Sequence, residues 1–216
     1  MDCSRNPRPR RCEVMMTRRR TATEREIQAA LEDLERRPDQ VRAGNWPAHH
    51  SEHARHPGLY SWWVDEAGAD ELAAGLGVPV TEGRIYAGQT GATRWPSGIV
   101  SKATLQSRIG SNHLIGRVRG STFRFTLAAS LGESLGLVVE GPKKLHTNSE
   151  SRLTEWIQDH LRLAVHPFGD RDALADLEHR VLVILDPSLN LEGRPPSELR
   201  SSLSRRRAAL GSRPWR

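Results

Sequence analysis

The chain has 216 residues, 37% of them hydrophobic, and carries 32 Lys and Arg against 26 Asp and Glu for a net charge of +6. That length holds one main domain with a real core and appended segments, while the longest aliphatic run, Val181 to Leu185, is far short of the roughly 20 apolar residues of a membrane span. The two cysteines, Cys3 and Cys12, both lie near the N-terminus and exclude a disulfide framework or a paired-CxxC zinc site. With no apolar signal stretch, the expected setting is cytoplasmic.

Residues 1–20 carry seven Arg against Asp2 and Glu13, have two prolines and show no hydrophobic period, so they read as a disordered basic leader in which Met15 or Met16 can equally be the true start. From Thr21 the pattern changes. Thr21 or Thr23 can cap a helix in which Ile27, Leu31 and Leu34 recur at helical spacing to Arg37. Residues 44–58 hold Pro47, Pro57 and four histidines and read as a loop; His49, His50, His53 and His56 invite a metal reading, though no regular element fixes their spacing and no cysteine joins them. Residues 21–57 thus form an N-terminal helix and a His/Pro-rich loop.

The core follows. A strand is expected at 58–65, a small helix at Ala69 to Leu76 ending at Gly77, a strand near 83–88, a polar loop over 89–101 and a helix near 103–115. Ser121 caps another helix with Phe123, Leu127 and Leu131 on one face; an irregular strand covers 136–145, and a helix surrounds Leu153, Trp156 and Ile157. Leu161, Leu163 and Val165 alternate as in a half-buried strand, and the last core helix runs from about Asp170 to Leu185. Asp186-Pro187 stops it, and Ser197 can cap a basic terminal helix in residues 194–216, which carry seven Arg against Glu198. The sum is an α+β fold, a small mixed β-sheet flanked by helices.

Polar groups fall on apolar faces at three places. With Leu174 as reference at about 100° per residue, Leu177, Val181, Leu182, Ile184 and Leu185 share a stripe that also contains Glu178. Such a carboxylate is either a rim residue with its head in water or a metal-ligating or acid–base group. The same wheel over 103–115 sets Leu105, Ile109 and Ile115 together with Arg108, Asn112 and His113 among them. Arg108 can grip phosphate oxygens or form a structural ion pair, even with Glu178. The only two tyrosines, Tyr60 and Tyr86, occupy strands beside short glycine motifs, "GLY" at 58–60 and "YAG" at 86–88. A packing role alone would accept Phe in both places.

Taken in order, "GLY", "YAG", Arg108, Glu178 and Asn190 resemble the signature of GIY-YIG nucleases, over roughly residues 58–193. Leucine and alanine stand where the motifs have isoleucine, conservative changes in a strand; the long spacer between motifs and the histidine after Arg108 look most like the restriction-endonuclease branch. The resemblance implies a DNA endonuclease with a one-metal phosphodiesterase site. Glu178 would ligate Mg²⁺, with Mn²⁺ able to substitute, and Arg108 would hold the scissile phosphate. Tyr60 would activate the attacking water with Tyr86 beside it, His113 would relay the proton or serve structurally, and Asn190 would fix the glutamate loop or phosphate, or simply shape a turn. DNA, expected to be double-stranded and met by a homodimer if both strands are cut, would be contacted by Lys102, Arg117, Arg119, Arg124, Arg205, Arg206 and Arg207. Two rival readings stand beside it: a DNA-binding module with a vestigial site, and a hydrolase holding zinc in the histidine-rich loop.

Overall fold

The computed structural model describes residues 20–36, 41–46 and 51–212. The leader through Arg19, His49 and His50 of the histidine-rich loop, and the last four residues lie outside them. In chain order the principal elements are α1 (Glu24–Glu35), β1 (Val41–Arg42), β2 (Gly58–Val64), α2 (Glu66–Leu76), β3 (Gly83–Thr90) and a π-helix (Gln106–Leu114). Then come α3 (Thr122–Leu131), the hairpin strands β4 (Val139–Gly141) and β5 (Lys144–Leu145), α4 (Thr147–His160), β6 (Leu161–Pro167), α5 (Leu174–Leu185) and α6 (Glu198–Ser212).

Local chemistry sets the helix ends. Thr23 closes a capping box with Glu26 at the start of α1, Asp65 accepts from the Gly68 amide to start α2, and Gly77 ends it in the left-handed conformation at φ 70°. Ser121 caps α3 through the Arg124 amide, and Ser197 accepts from the Arg200 amide at the start of α6.

The main sheet has the order β1-β6-β2-β3. Every pairing in it is antiparallel, so the small sheet flanked by helices is present but is not mixed. Strand β2 runs through the middle, with Tyr60, Trp62 and Val64 in the larger core on one face and Leu59 in the smaller core under α1 and α5 on the other. Burial on both faces explains its nearly continuous apolar sequence. The same cover makes β6 more than half-buried: Ala164 and His166 are buried along with Leu161, Leu163 and Val165, and Asp33 of α1 accepts a hydrogen bond from or pairs with His166 Nδ1 at 2.8 Å. Helix α1 is therefore built into the back of the sheet, and the Ser61 hydroxyl donates to its Leu34 carbonyl.

Three faces differ from the wheel. α3 is buried all round, Phe123 to Leu131, because α2, α4 and α6 surround it. Ile115 and Ile184, both placed inward by the 100° period, are 73% and 59% exposed. Around Ile115 the chain winds as a π-helix, whose last turn closes from the Ile115 amide to the Gly110 carbonyl; the wider turn adds about one residue to the repeat and swings Ile115 outward. Ile184 sits at the margin of its stripe and stays at the surface. The basic segment after residue 194 packs inward as α6, with Leu203 and Leu210 in the larger core and the Ser202 hydroxyl on the Leu76 carbonyl.

Candidate active site

Register brings the tyrosines together. Tyr60 of β2 lies opposite Gly88 of β3, and Trp62 opposite Tyr86, so both phenols rise from one face of the sheet, diagonal across adjacent strands. The glycines in the two motifs have separate tasks. A Cβ on Gly88 would sit 2.9 Å from the Tyr60 hydroxyl oxygen, and one on Gly58 would collide with the His166 carbonyl of the neighbouring strand. Gly88 thus makes room for the Tyr60 ring, and Gly58 lets two backbones close up.

His113 completes this cluster. Its Nε2 lies 2.9 Å from the Tyr60 hydroxyl and its Nδ1 2.8 Å from Ser121 Oγ, the same oxygen that caps α3. Burial drives the imidazole well below its ordinary pKa, and the nearby charges of Arg108 and Arg124 reinforce the shift, so it is neutral at physiological pH. Burial likewise pushes the Tyr60 phenol well above its ordinary value, with Tyr86 and Glu178 adding to the rise and Arg108 opposing it. Tyr86 is pushed up to about 12, by burial and by Glu178. Arg108, half-buried on the π-helix, is the positive charge common to all four groups.

Strand β3 is an edge strand, and its outward backbone groups need partners. The Leu189 amide donates to the Ile85 carbonyl at 2.8 Å. Asn190 accepts from the Ala87 amide at 3.0 Å and donates to the Ala87 carbonyl at 2.9 Å, and the Gln89 amide bonds the Glu178 carboxylate. Both ends of the Asn190 amide are thereby spent on strand β3, tying the segment after α5 to the tyrosine strand. Glu178 is raised to about 7, chiefly by burial and further by Glu192, with the Gln89 amide and Arg108 pulling the other way. It forms no salt bridge among the described residues, so the Arg108 ion pair weighed from the sequence does not form.

These elements border an open cleft of about 890 Å³. Tyr86, Glu178 and Asn190 line it from the sheet side, and Thr122, Phe125 and Arg207 from α3 and α6. Tyr60 and His113, 3% and 2% exposed, lie buried beside Tyr86. Sequence reasoning missed the place of Glu192 in this cleft, and it grouped Arg207 with Arg205 and Arg206, although only Arg207 reaches the cleft. Two residues, about 200° around the helix, separate exposed Arg205 from cleft-lining Arg207, so the two point to nearly opposite faces of α6.

Arg124 requires a correction. Expected to contact DNA, it is 0% exposed. Its guanidinium pairs with Glu150 at 2.9 Å and donates to the carbonyls of His113, Leu114 and Glu150 and to Thr154 Oγ1. It locks the end of the π-helix to α4 and so holds His113 in place. Arg124→Ala is expected to destabilise the fold by about 3–5 kcal/mol, because it strands several buried acceptors and Glu150; urea unfolding measures this. Lys102, Arg117, Arg119 and Arg205 are exposed.

A hard divalent cation fits the donor set. The Glu178 carboxylate is half-buried at the cleft, spends one hydrogen bond on a backbone amide and is disfavoured as a bare anion by its surroundings. Among the described residues no group of three or more His, Cys, Asp or Glu side chains could hold a metal, and no helix is long and apolar enough to cross a membrane. A family model described as the GIY-YIG catalytic domain matches residues 58–209, well over half of the chain. No curated protein and no solved structure matches significantly.

Proposed function

Because the chain belongs to the GIY-YIG catalytic-domain family, whose members are endonucleases hydrolysing phosphodiester bonds, we propose that it is a Mg²⁺-dependent enzyme cutting double-stranded DNA at the cleft beside Tyr86 and Glu178. The observation that carries this reading is the Tyr60–His113–Ser121 hydrogen-bond chain set beside a half-buried glutamate that forms no salt bridge among the described residues. Buried tyrosines kept only for packing would not need it.

Glu178 would hold the cation, Mg²⁺ or Mn²⁺, with phosphate and water filling the other positions. Bound there, it supplies Lewis-acid stabilisation of the phosphate oxygens. Arg108, whose charge acts on Tyr60, Tyr86, His113 and Glu178, would hold the scissile phosphate and offset the charge that builds up on it. As the water oxygen attacks phosphorus and the bond to the 3′ oxygen breaks, the water gives its proton to Tyr60 while Tyr60 passes its own to His113 Nε2, the His113 Nδ1–H donating to Ser121 Oγ; the departing 3′ oxygen takes its proton from solvent. A phenol held above its ordinary pKa cannot act by ionising first, which is why the relay needs a neutral imidazole. Asn190 keeps the segment after Glu178 seated on β3. Lys102, Arg117, Arg119, Arg205 and Arg206 contribute phosphate contacts along the duplex.

A restriction-type role is supported by the long spacer between the tyrosine motifs and by the histidine after Arg108. Cutting both strands would then take two copies, since each carries a single such centre. The test is incubation of plasmid and unmethylated phage DNA with the protein and Mg²⁺. Discrete fragments support a site-specific enzyme of this type; salt-sensitive DNA binding with no cleavage under Mg²⁺ or Mn²⁺ would instead establish a binding module whose site is vestigial.

A further inference from the structure

Phe125, in the first turn of α3, lines the cleft, and two cations stand on its ring. The Arg207 guanidinium carbon lies 5.2 Å from the ring centroid and Lys143 Nζ lies 5.4 Å from it. They arrive from unrelated segments, the turn between β4 and β5 and the last turns of α6. Neither forms an ion pair with a carboxylate among the described residues. Each is attracted to the aromatic face, yet two like charges on one ring repel each other. An anion held near the ring is attracted by both charges.

The backbone at Lys143 points the same way. Lys143 has φ 52° and follows Pro142 in the hairpin turn. That is the left-handed region, which favours glycine and strains a lysine. The strain has no packing return, since Lys143 is exposed; what it achieves is to set an ammonium on Phe125. Arg207 sits differently: it is half-buried at the cleft, where burial lowers its pKa. The N-terminal turn of α3, from Thr122 at the cleft, adds the positive end of a helix dipole to the same wall.

We propose that Lys143 and Arg207, braced on Phe125, form a binding site for a DNA backbone phosphate next to the scissile one, beside the stretch of cleft wall that Phe125 and Arg207 line. The site deepens the nuclease reading and rests on it. It carries no base information; it positions the strand so that the scissile phosphate meets Glu178 and Arg108.

The test uses the full chain with Lys143→Gly, Arg207→Gln and, as a neighbouring-charge control, Lys144→Gln, whose lysine pairs with Glu140. Binding of a labelled duplex is followed by fluorescence anisotropy in EDTA across a salt series, with thermal unfolding in parallel. Lys143→Gly should unfold no earlier than wild type, because glycine relieves the left-handed turn. Both it and Arg207→Gln should weaken binding several-fold and lower the slope of log Kd against log salt by about 1 each, while Lys144→Gln leaves the slope unchanged. Wild-type affinity and slope in both folded variants, or an equal fall in Lys144→Gln, would overturn the site. If wild type cuts DNA and the variants bind normally, only this inference fails; if wild type neither binds nor cuts DNA, the nuclease reading fails and takes it along.

Discussion

Replacing Glu178 with glutamine is expected to abolish cleavage and at the same time to stabilise the metal-free protein. Both effects come from one carboxylate held by its surroundings at a pKa of about 7. A folded-state value above the unfolded one of about 4.3 means that the native state prefers the proton. The favourable contribution is complete below about pH 4 and is lost as pH rises through 7; above that, the ionised buried carboxylate costs on the order of 3 kcal/mol. Glutamine keeps the shape without the charge. In EDTA at pH 8 the Glu178→Gln protein should therefore melt several degrees above wild type, and near pH 4 the two should melt together. Activity moves in the opposite direction, because losing the cation forfeits several kcal/mol of transition-state stabilisation, on the order of a thousand-fold in rate. Equal melting temperatures at pH 8 would show that Glu178 is a solvated rim residue, and retained cleavage would remove it from the metal site.

The placement of that carboxylate follows from a general problem of sheets. Strand β3 is an edge, and an uncovered edge invites pairing with another chain. Here Leu189, Asn190 and Glu178 take up the backbone groups of Ile85, Ala87 and Gln89 in turn. Covering the edge thus also delivers a carboxylate beside the tyrosines, and Asn190, bonded to Ala87, seats the segment that follows Glu178. The same economy holds for Arg124: buried in its network with Glu150, it fixes the loop end that carries His113 and adds to the field that keeps His113 neutral.

Strands β2 and β3, the Thr and Ser caps and the stripe of α5 were legible because they depend on local signals: apolar runs between turn residues, Thr and Ser before a helical period, and the terminal glycine of α2. The ordered tyrosines, Arg108, Glu178 and Asn190 were legible because residue type and order survive without coordinates. The π-helix was not. An insertion-like widening leaves no mark on a 100° wheel, which therefore placed Ile115 inward and could not settle the facing of His113. Nor was the sorting of arginines. Arg119 and Arg124 lie five residues apart in one basic stretch, yet one is exposed and the other is sealed by Glu150 from α4, a contact set by tertiary packing alone. Arg205 and Arg207 part by about 200° of helix, and which of the two faces meets the cleft is set by how α6 packs; Lys143 carried no signal beyond an unfavourable backbone angle that sequence does not display.

The relay makes the other large prediction. Tyr60→Phe removes only the hydroxyl that faces His113 Nε2, and the rate should fall by about a hundred-fold or more, the range of a lost general base. His113→Ala should cost a similar factor, and the double variant should be no worse than either single one, because both act on the same proton. The pH profile separates this from a structural role. His113 is held well below its ordinary pKa, so it does not titrate near neutrality. The acid limb of kcat/KM should instead follow Glu178, rising through about pH 7 at low Mg²⁺ and moving to lower pH as Mg²⁺ is raised, since the ion competes with the proton for the carboxylate. That limb should survive in His113→Ala with its metal dependence intact, on a curve displaced downward. Additive losses in the double variant would mean that Tyr60 and His113 serve separate purposes; an acid limb that disappears in His113→Ala would mean that the imidazole, and not the carboxylate, sets the pH at which the enzyme works.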